Sequence, residues 1–148
     1  MQSADSFAEG FAALRALRPG PARLYLAGCS GEPVGLFRAL GAQPELARDL
    51  TFVGVPVPGL NNLDWTILHA TARAEMPFMF EVMRDGFAAG KIDLRPMHYS
   101  DSYRHMQTGP IDLAVIMVSP PEADGRVSLG LSADFSGAVL ARPDIPLM

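Results

Sequence analysis

The chain carries a single cysteine, Cys29, in 148 residues. That excludes an internal disulfide framework and leaves the cytoplasm as the default compartment. No apolar run approaches the ~20 residues of a membrane span, and the first residues lack the charged and apolar regions of a signal peptide. Charge is also scarce, at 19% of residues with a net charge of −4 and a pI near 5.2. Without a basic patch to neutralise phosphates, nucleic acid is a poor partner. No internal repeat or low-complexity tract is visible.

What is present is apolar: 49% of residues are hydrophobic, and the mean hydropathy is +0.16. A charged fraction below the roughly 25% of an average domain has two readings. Either a well-buried α/β core takes up the apolar residues, or part of the surface is covered by something else. The length suits one domain with a real core.

Taken in order, Ser6 and Glu9 resemble a capping box, followed by Phe7, Phe11, Leu14 and Leu17 at helical spacing until Pro19 and Gly20 end the run. Residues 23–27 (RLYLA) read as a strand and Gly28 to Gly31 as a turn. Pro33 suits the first position of a helix carrying Val34, Phe37 and Leu40 on one face. A second strand is expected over 51–55, ended by Pro56 and Pro58. Residues 61–76 suggest a helix through Trp65, Leu68 and Ala72 or else an irregular segment. Helical spacing continues over 78–89, and 92–95 form a short strand. Ser100 caps a helical turn around 103–106. The most apolar run, 111–118 (IDLAVIMV), reads as a strand buried on both faces. A last helix covers about 133–141, and 145–148 begin a further strand whose unpaired edge offers a route to self-association. Strands alternating with helices imply an open, mostly parallel α/β sheet with flanking helices.

In such sheets ligands sit beyond the carboxyl ends of the strands. The Pro- and Gly-punctuated loop from Ser119 to Asp134 follows the buried strand and is therefore a candidate site. The turn Gly28-Cys29-Ser30-Gly31 favours an anion through its amides, although Glu32 opposes one, and a tight structural turn is the plainer reading. It matches neither a dinucleotide fingerprint nor a P-loop. Cys29 or Ser30 as nucleophile lacks its motif, because Glu32 breaks the elbow pattern. His98, Asp101 and His105 have the spacing of a metal cluster, but Pro96 and the Ser100 cap argue against one continuous helix from 98, and no metal is expected. The acids of the loop, Glu122 and Asp124, either touch substrate or are simply solvated.

The loop SPPEADGRVSLGLSAD, residues 119–134, resembles the S-P-P-D-x-x-G-x-x-S-L-G-x-S-x-D loop of the acetyl-CoA hydrolase and transferase family, which includes acetate and 4-hydroxybutyrate CoA-transferases. Residues 27–40 (AGCSGEPVGLFRAL) and 90–101 (GKIDLRPMHYSD) match that family in the same order. Glu122 replaces the usual Asp. The resemblance covers only the amino-terminal part of longer proteins, so the whole chain, 1–148, reads as that domain, cut short at its carboxyl end. It implies a CoA-transferase-like fold, coenzyme A as a substrate rather than a bound cofactor, and an acyl-CoA and a carboxylate as ligands. It also implies a second half, in this chain or another, bearing the nucleophilic glutamate. None of Glu9, Glu32, Glu45, Glu75, Glu81 and Glu122 occupies that glutamate's context, so no catalytic residue is assigned. By the same resemblance, Ser119, Pro120, Pro121, Gly125, Gly130 and His98 line the cleft. The alternative is a non-catalytic CoA-binding or assembly module that keeps the fold.

Overall fold

The computed structural model describes residues 4–131 and 133–148. Five strands form one sheet in the order β4-β3-β2-β1-β5, with β1 Ala22–Leu26, β2 Leu50–Val53, β3 Arg73–Met76, β4 Ile92–Leu94 and β5 Leu113–Val115. Every pairing is parallel, in register through Leu24 with Phe52 and Leu113, and Phe52 with Ala74. Leu147 then bridges Ala114 in parallel on the outer side of β5, so the expected last strand does begin there.

Because side chains alternate across a strand, the two faces bury separate cores. Leu24, Leu26, Phe52, Met76, Ile92 and Leu113 pack with Phe11, Leu36, Leu40 and Trp65 on one side, where α1 (Ala4–Ala16) lies on α2 (Val34–Ala42). Trp65 fixes the middle of this core, edge-on to Phe37 at 5.1 Å and tilted against Phe52 at 5.2 Å. Tyr25, Val53, Val55, Ala114 and Ile116 pack on the other side with Met106, Phe135 and Val139, which belong to or adjoin α4 (Tyr99–Thr108) and α5 (Ser136–Leu140). Two covered faces are what a parallel sheet requires.

Several expectations change. Ser6 lies within the described helix α1, Ala4–Ala16, rather than at its cap, and Leu17 is exposed beyond its end. Pro33 precedes α2 as its cap instead of opening it, and Val34 is exposed while Leu36, Ala39 and Leu40 are buried. Residues 61–76 are not a helix: a 3-10 turn spans Trp65–Leu68, with Asp64 accepting from the Thr66 amide at 2.9 Å, and the segment ends in β3. Over 78–89 only a 3-10 turn, Glu81–Met83, and the short α3, Arg84–Ala88, are helical. The helix α4 starts at Tyr99, so Ser100 is within it and His98 precedes it. The apolar run 111–118 holds a strand of three residues, and its last two residues, Met117 and Val118, are exposed.

One buried position breaks the apolar pattern. Glu75, on β3 and 4% exposed, is ringed by Arg23 at 2.8 Å, His105 at 2.8 Å and Arg95 at 3.1 Å. A buried carboxylate is tolerable only when paired in this way. The ring joins β1, β3, the end of β4 and α4.

Candidate functional site at the carboxyl end of the sheet

From β1 the chain moves towards β2, β3 and β4, whereas from β5 it moves the opposite way to Leu147. The connections therefore diverge between the carboxyl ends of β1 and β5, which is where an open α/β sheet forms its ligand crevice. The turn after β1 lies there. Cys29 adopts φ 49°, an uncommon conformation for a residue with a side chain. Asn61, 1% exposed, holds it on both sides: its Oδ1 accepts from the Cys29 amide at 2.9 Å and its Nδ2 donates to the Cys29 carbonyl at 3.0 Å. The same Oδ1 accepts from the Val57 amide at 2.8 Å, which joins the turn after β1 to the loop after β2.

Gly28 has no room for a side chain, since a Cβ there would lie 2.5 Å from the Val55 carbonyl oxygen. Gly54 stands in the mirrored situation, 2.7 Å from the Leu26 oxygen. The two backbones thus approach closely where β1 and β2 end. On the β5 side, the Gly28 amide donates to Asp134 Oδ2 at 2.9 Å. Asp134 itself has φ 43°, and its Oδ1 is buried without a hydrogen-bond partner among the described residues. Burial pushes its carboxyl above the ordinary range, and the Gly28 and Phe135 amides only partly offset this.

Glu32 borders a small pocket with Leu26, Gly28, Val55, Asn61 and Trp65, about 20 Å³ in volume, enough for roughly one water. Its carboxyl is pushed up by burial, against hydrogen bonds from Asn61, Trp65 and the Asn62 backbone. Tyr99 lies tilted against Phe135, with ring centroids 4.7 Å apart, and burial, then the neighbouring Asp134 and Cys29, raise its phenol. Tyr25, held by Ser136 at 3.3 Å, is raised chiefly by its burial. A larger groove of about 460 Å³ lies away from this crevice, lined by Arg23, Thr51, Arg73, Lys91 and Asp93. Its cations are engaged: Lys91 donates to the Thr66 and His69 carbonyls, and Arg73 to that of Gly90.

The loop after β5 folds back on itself. The Ser119 amide donates to the Ser128 carbonyl at 2.8 Å, and the Ser128 amide donates to Ser119 Oγ at 2.9 Å. Gly125 (φ 82°) and Gly130 (φ 71°) supply the left-handed turns that this path needs. Pro120, Pro121, Gly125 and Gly130 are exposed, and Ser119 is half-buried. His98 is exposed just before α4, beside Tyr99 rather than in the loop. Glu122 and Asp124 are solvated and bridge to Arg126. His105 is committed to Glu75, and among the described residues no three His, Cys, Asp or Glu side chains are placed to hold a metal. No described helix is long and apolar enough to cross a membrane. Asn61, Tyr99 and Asp134 went unassigned in the sequence. Only Asp134 carried a signal, as the last residue of the matched loop.

No curated protein sequence matches the chain. Among solved structures, a point mutant of RipA superposes with a TM-score of 0.71 at 17% identity, over 99% of this chain and 38% of that one. A second RipA mutant gives 0.69 at 18%, with 99% and 38% covered. The 4-hydroxybutyrate CoA-transferase of Porphyromonas gingivalis gives 0.56 at 19%, over 99% of this chain and 32% of that one. At these identities the likeness establishes the fold, and the chain spans about a third of the length of these structures. A family model, the acetyl-CoA hydrolase/transferase N-terminal domain, matches residues 22–145. The sheet, the crevice where its connections diverge and the matched loop all fall within those residues, and the chain belongs to the acetyl-CoA hydrolase/transferase family, as its amino-terminal domain.

Proposed function

We propose that this chain forms half of the cleft of an enzyme that moves CoA between carboxylic acids, or hydrolyses a short acyl-CoA, and that a carboxyl-terminal half supplies the nucleophilic glutamate. The observation that carries this reading is the family match over 22–145 in a chain about a third as long as its structural neighbours. In the proposed chemistry the glutamate carboxylate attacks the acyl-CoA carbonyl, giving a mixed anhydride and free CoA thiolate. The thiolate then attacks the glutamyl carbonyl, releasing the carboxylic acid and leaving a glutamyl-CoA thioester. The second acid, or water, takes over from there.

The glutamates here support placing that group elsewhere. Glu75 is paired with Arg23 and Arg95 and hydrogen-bonded to His105, and Glu32 is engaged by Asn61, Trp65 and Asn62. Glu9, Glu45, Glu81 and Glu122 are exposed, the last three in ion pairs with arginines. The apolar surface fits the same reading, because Leu60, Met79, Tyr99, Val118 and Leu131, each beyond the end of a strand, are exposed. In this proposal Ser119, Pro120, Pro121, Gly125, Gly130 and His98 shape the wall of the cleft by backbone and steric contacts.

The test is a CoA-exchange and hydrolysis assay with acetyl-CoA and acetate, on the chain alone and mixed with a carboxyl-terminal domain of the family. Turnover is expected only in the mixture, and is lost when that domain's glutamate becomes glutamine. Turnover by the chain alone would overturn the two-halves reading. Tight calorimetric binding of CoA with no turnover in any mixture would favour the non-catalytic module.

A further inference from the structure

We infer that Asp134 is a positioning residue, a latch whose carboxylate fastens the segment after β5 to the turn after β1 and so holds the two walls of the crevice as one unit. The inference rests on the proposed function only in taking that crevice to be the cleft.

Three observations converge on this residue. Its Oδ2 accepts the Gly28 amide at 2.9 Å, a contact between residues 106 positions apart and on opposite sides of the point where the connections diverge. Its backbone is left-handed, φ 43°, a conformation that Asp and Asn tolerate better than most side chains but still at some strain. Its Oδ1 is buried without a partner among the described residues, so the fold bears the desolvation of a carboxyl to make that one long-range bond. Among the described residues the other long-range side-chain bridge here, Tyr25 with Ser136 at 3.3 Å, reaches the strand β1 and not the turn after it. Among the described residues, the exposed part of the loop closes on itself, through Ser119 with Ser128 and Glu122 with Arg126. Directly after Asp134, Phe135 packs under Tyr99 and Tyr103, and Ser136 reaches Tyr25 on β1. Releasing the latch would therefore free the loop, its Gly28 contact and the start of α4 together.

Two substitutions separate a latch from a structural bystander. Asn and Gly both accept a left-handed backbone. Asp134→Asn keeps an oxygen able to accept from Gly28, whereas Asp134→Gly removes it while relieving the strain, so neither variant is expected to unfold the chain. Amide hydrogen exchange is followed at Gly28 in the 148-residue chain and both variants, and acetyl-CoA is titrated into each by calorimetry. The Gly28 amide should exchange about tenfold faster or more in Asp134→Gly and within about threefold of the parent in Asp134→Asn. Acetyl-CoA affinity should follow the same order. Protection of Gly28 that survives in Asp134→Gly overturns the latch, as does an Asp134→Asn variant that loosens as much as the glycine one. Should the parent bind no acetyl-CoA, the proposed function loses support, while the exchange result still decides the latch.

Discussion

Two carboxyls at the crevice, Asp134 and Glu32, are held above the ordinary range, in both cases first by burial. An acid whose pKa is raised on folding keeps its proton to higher pH in the native state than in the unfolded one. Its contribution to stability is therefore largest below the ordinary carboxyl range and falls as pH rises through the raised value. Asparagine at 134 or glutamine at 32 cannot ionise. The melting temperature of either variant relative to the parent should then climb between about pH 3.5 and pH 7. A flat difference across that range would mean that burial does not govern these groups. The glycines supply a steric counterpart. A methyl at Gly28 meets the Val55 oxygen at 2.5 Å, and one at Gly54 meets the Leu26 oxygen at 2.7 Å, and in both cases the obstacle is backbone. Gly28→Ala and Gly54→Ala should each lower stability by about 1–3 kcal/mol in urea titrations, whereas Gly59→Ala, where a Cβ meets nothing, should show only the strain of its φ of 85°.

Among the elements, β3 is the one that pattern reading lost, for a physical reason. Its four residues, Arg-Ala-Glu-Met, alternate neither cleanly nor apolarly, and the charged Glu75 occupies a core-facing place that a strand reading reserves for valine or isoleucine. Only the fold brings Arg23, Arg95 and His105 to that position, so no local window contains the reason for the strand. By contrast β1 was legible because Arg-Leu-Tyr-Leu-Ala is apolar on both faces and ends at a glycine turn, and the alternation of strands and helices sufficed for the parallel sheet. The ring around Glu75 makes a prediction at this scale. Removing one member of a buried charge cluster leaves the others unpaired, so Glu75→Ala should cost about 3 kcal/mol, at the low end because Arg95 is half in solvent. A loss of less than about 1 kcal/mol in urea titrations would reduce the ring to a surface-like ion pair. The loop after β5, which the sequence offers as a candidate, lies at the carboxyl end of the sheet, but no local pattern points to Asn61, whose contacts depend on bringing the turn after β1 and the loop after β2 together.

For the molecule as a whole, the question raised by an apolar, weakly charged sequence was whether its core accounts for the composition. Both faces of the sheet are filled, yet large apolar side chains remain exposed past the strand ends: Leu60 at 65%, Met79 at 41%, Val118 at 46% and Leu131 at 101%. Being exposed, they add little to the stability of the chain itself, so their replacement separates surface from fold. The triple change Leu60→Ser, Met79→Ser and Val118→Ser should leave the melting temperature within a few degrees of the parent, while binding of a hydrophobic dye such as ANS falls severalfold. If this end of the sheet faces a carboxyl-terminal half, adding such a domain should suppress dye binding by the parent, and the triple variant should associate with it more weakly. Dye binding unchanged by the three serines would place the exposed apolar surface elsewhere and would detach it from the proposed cleft.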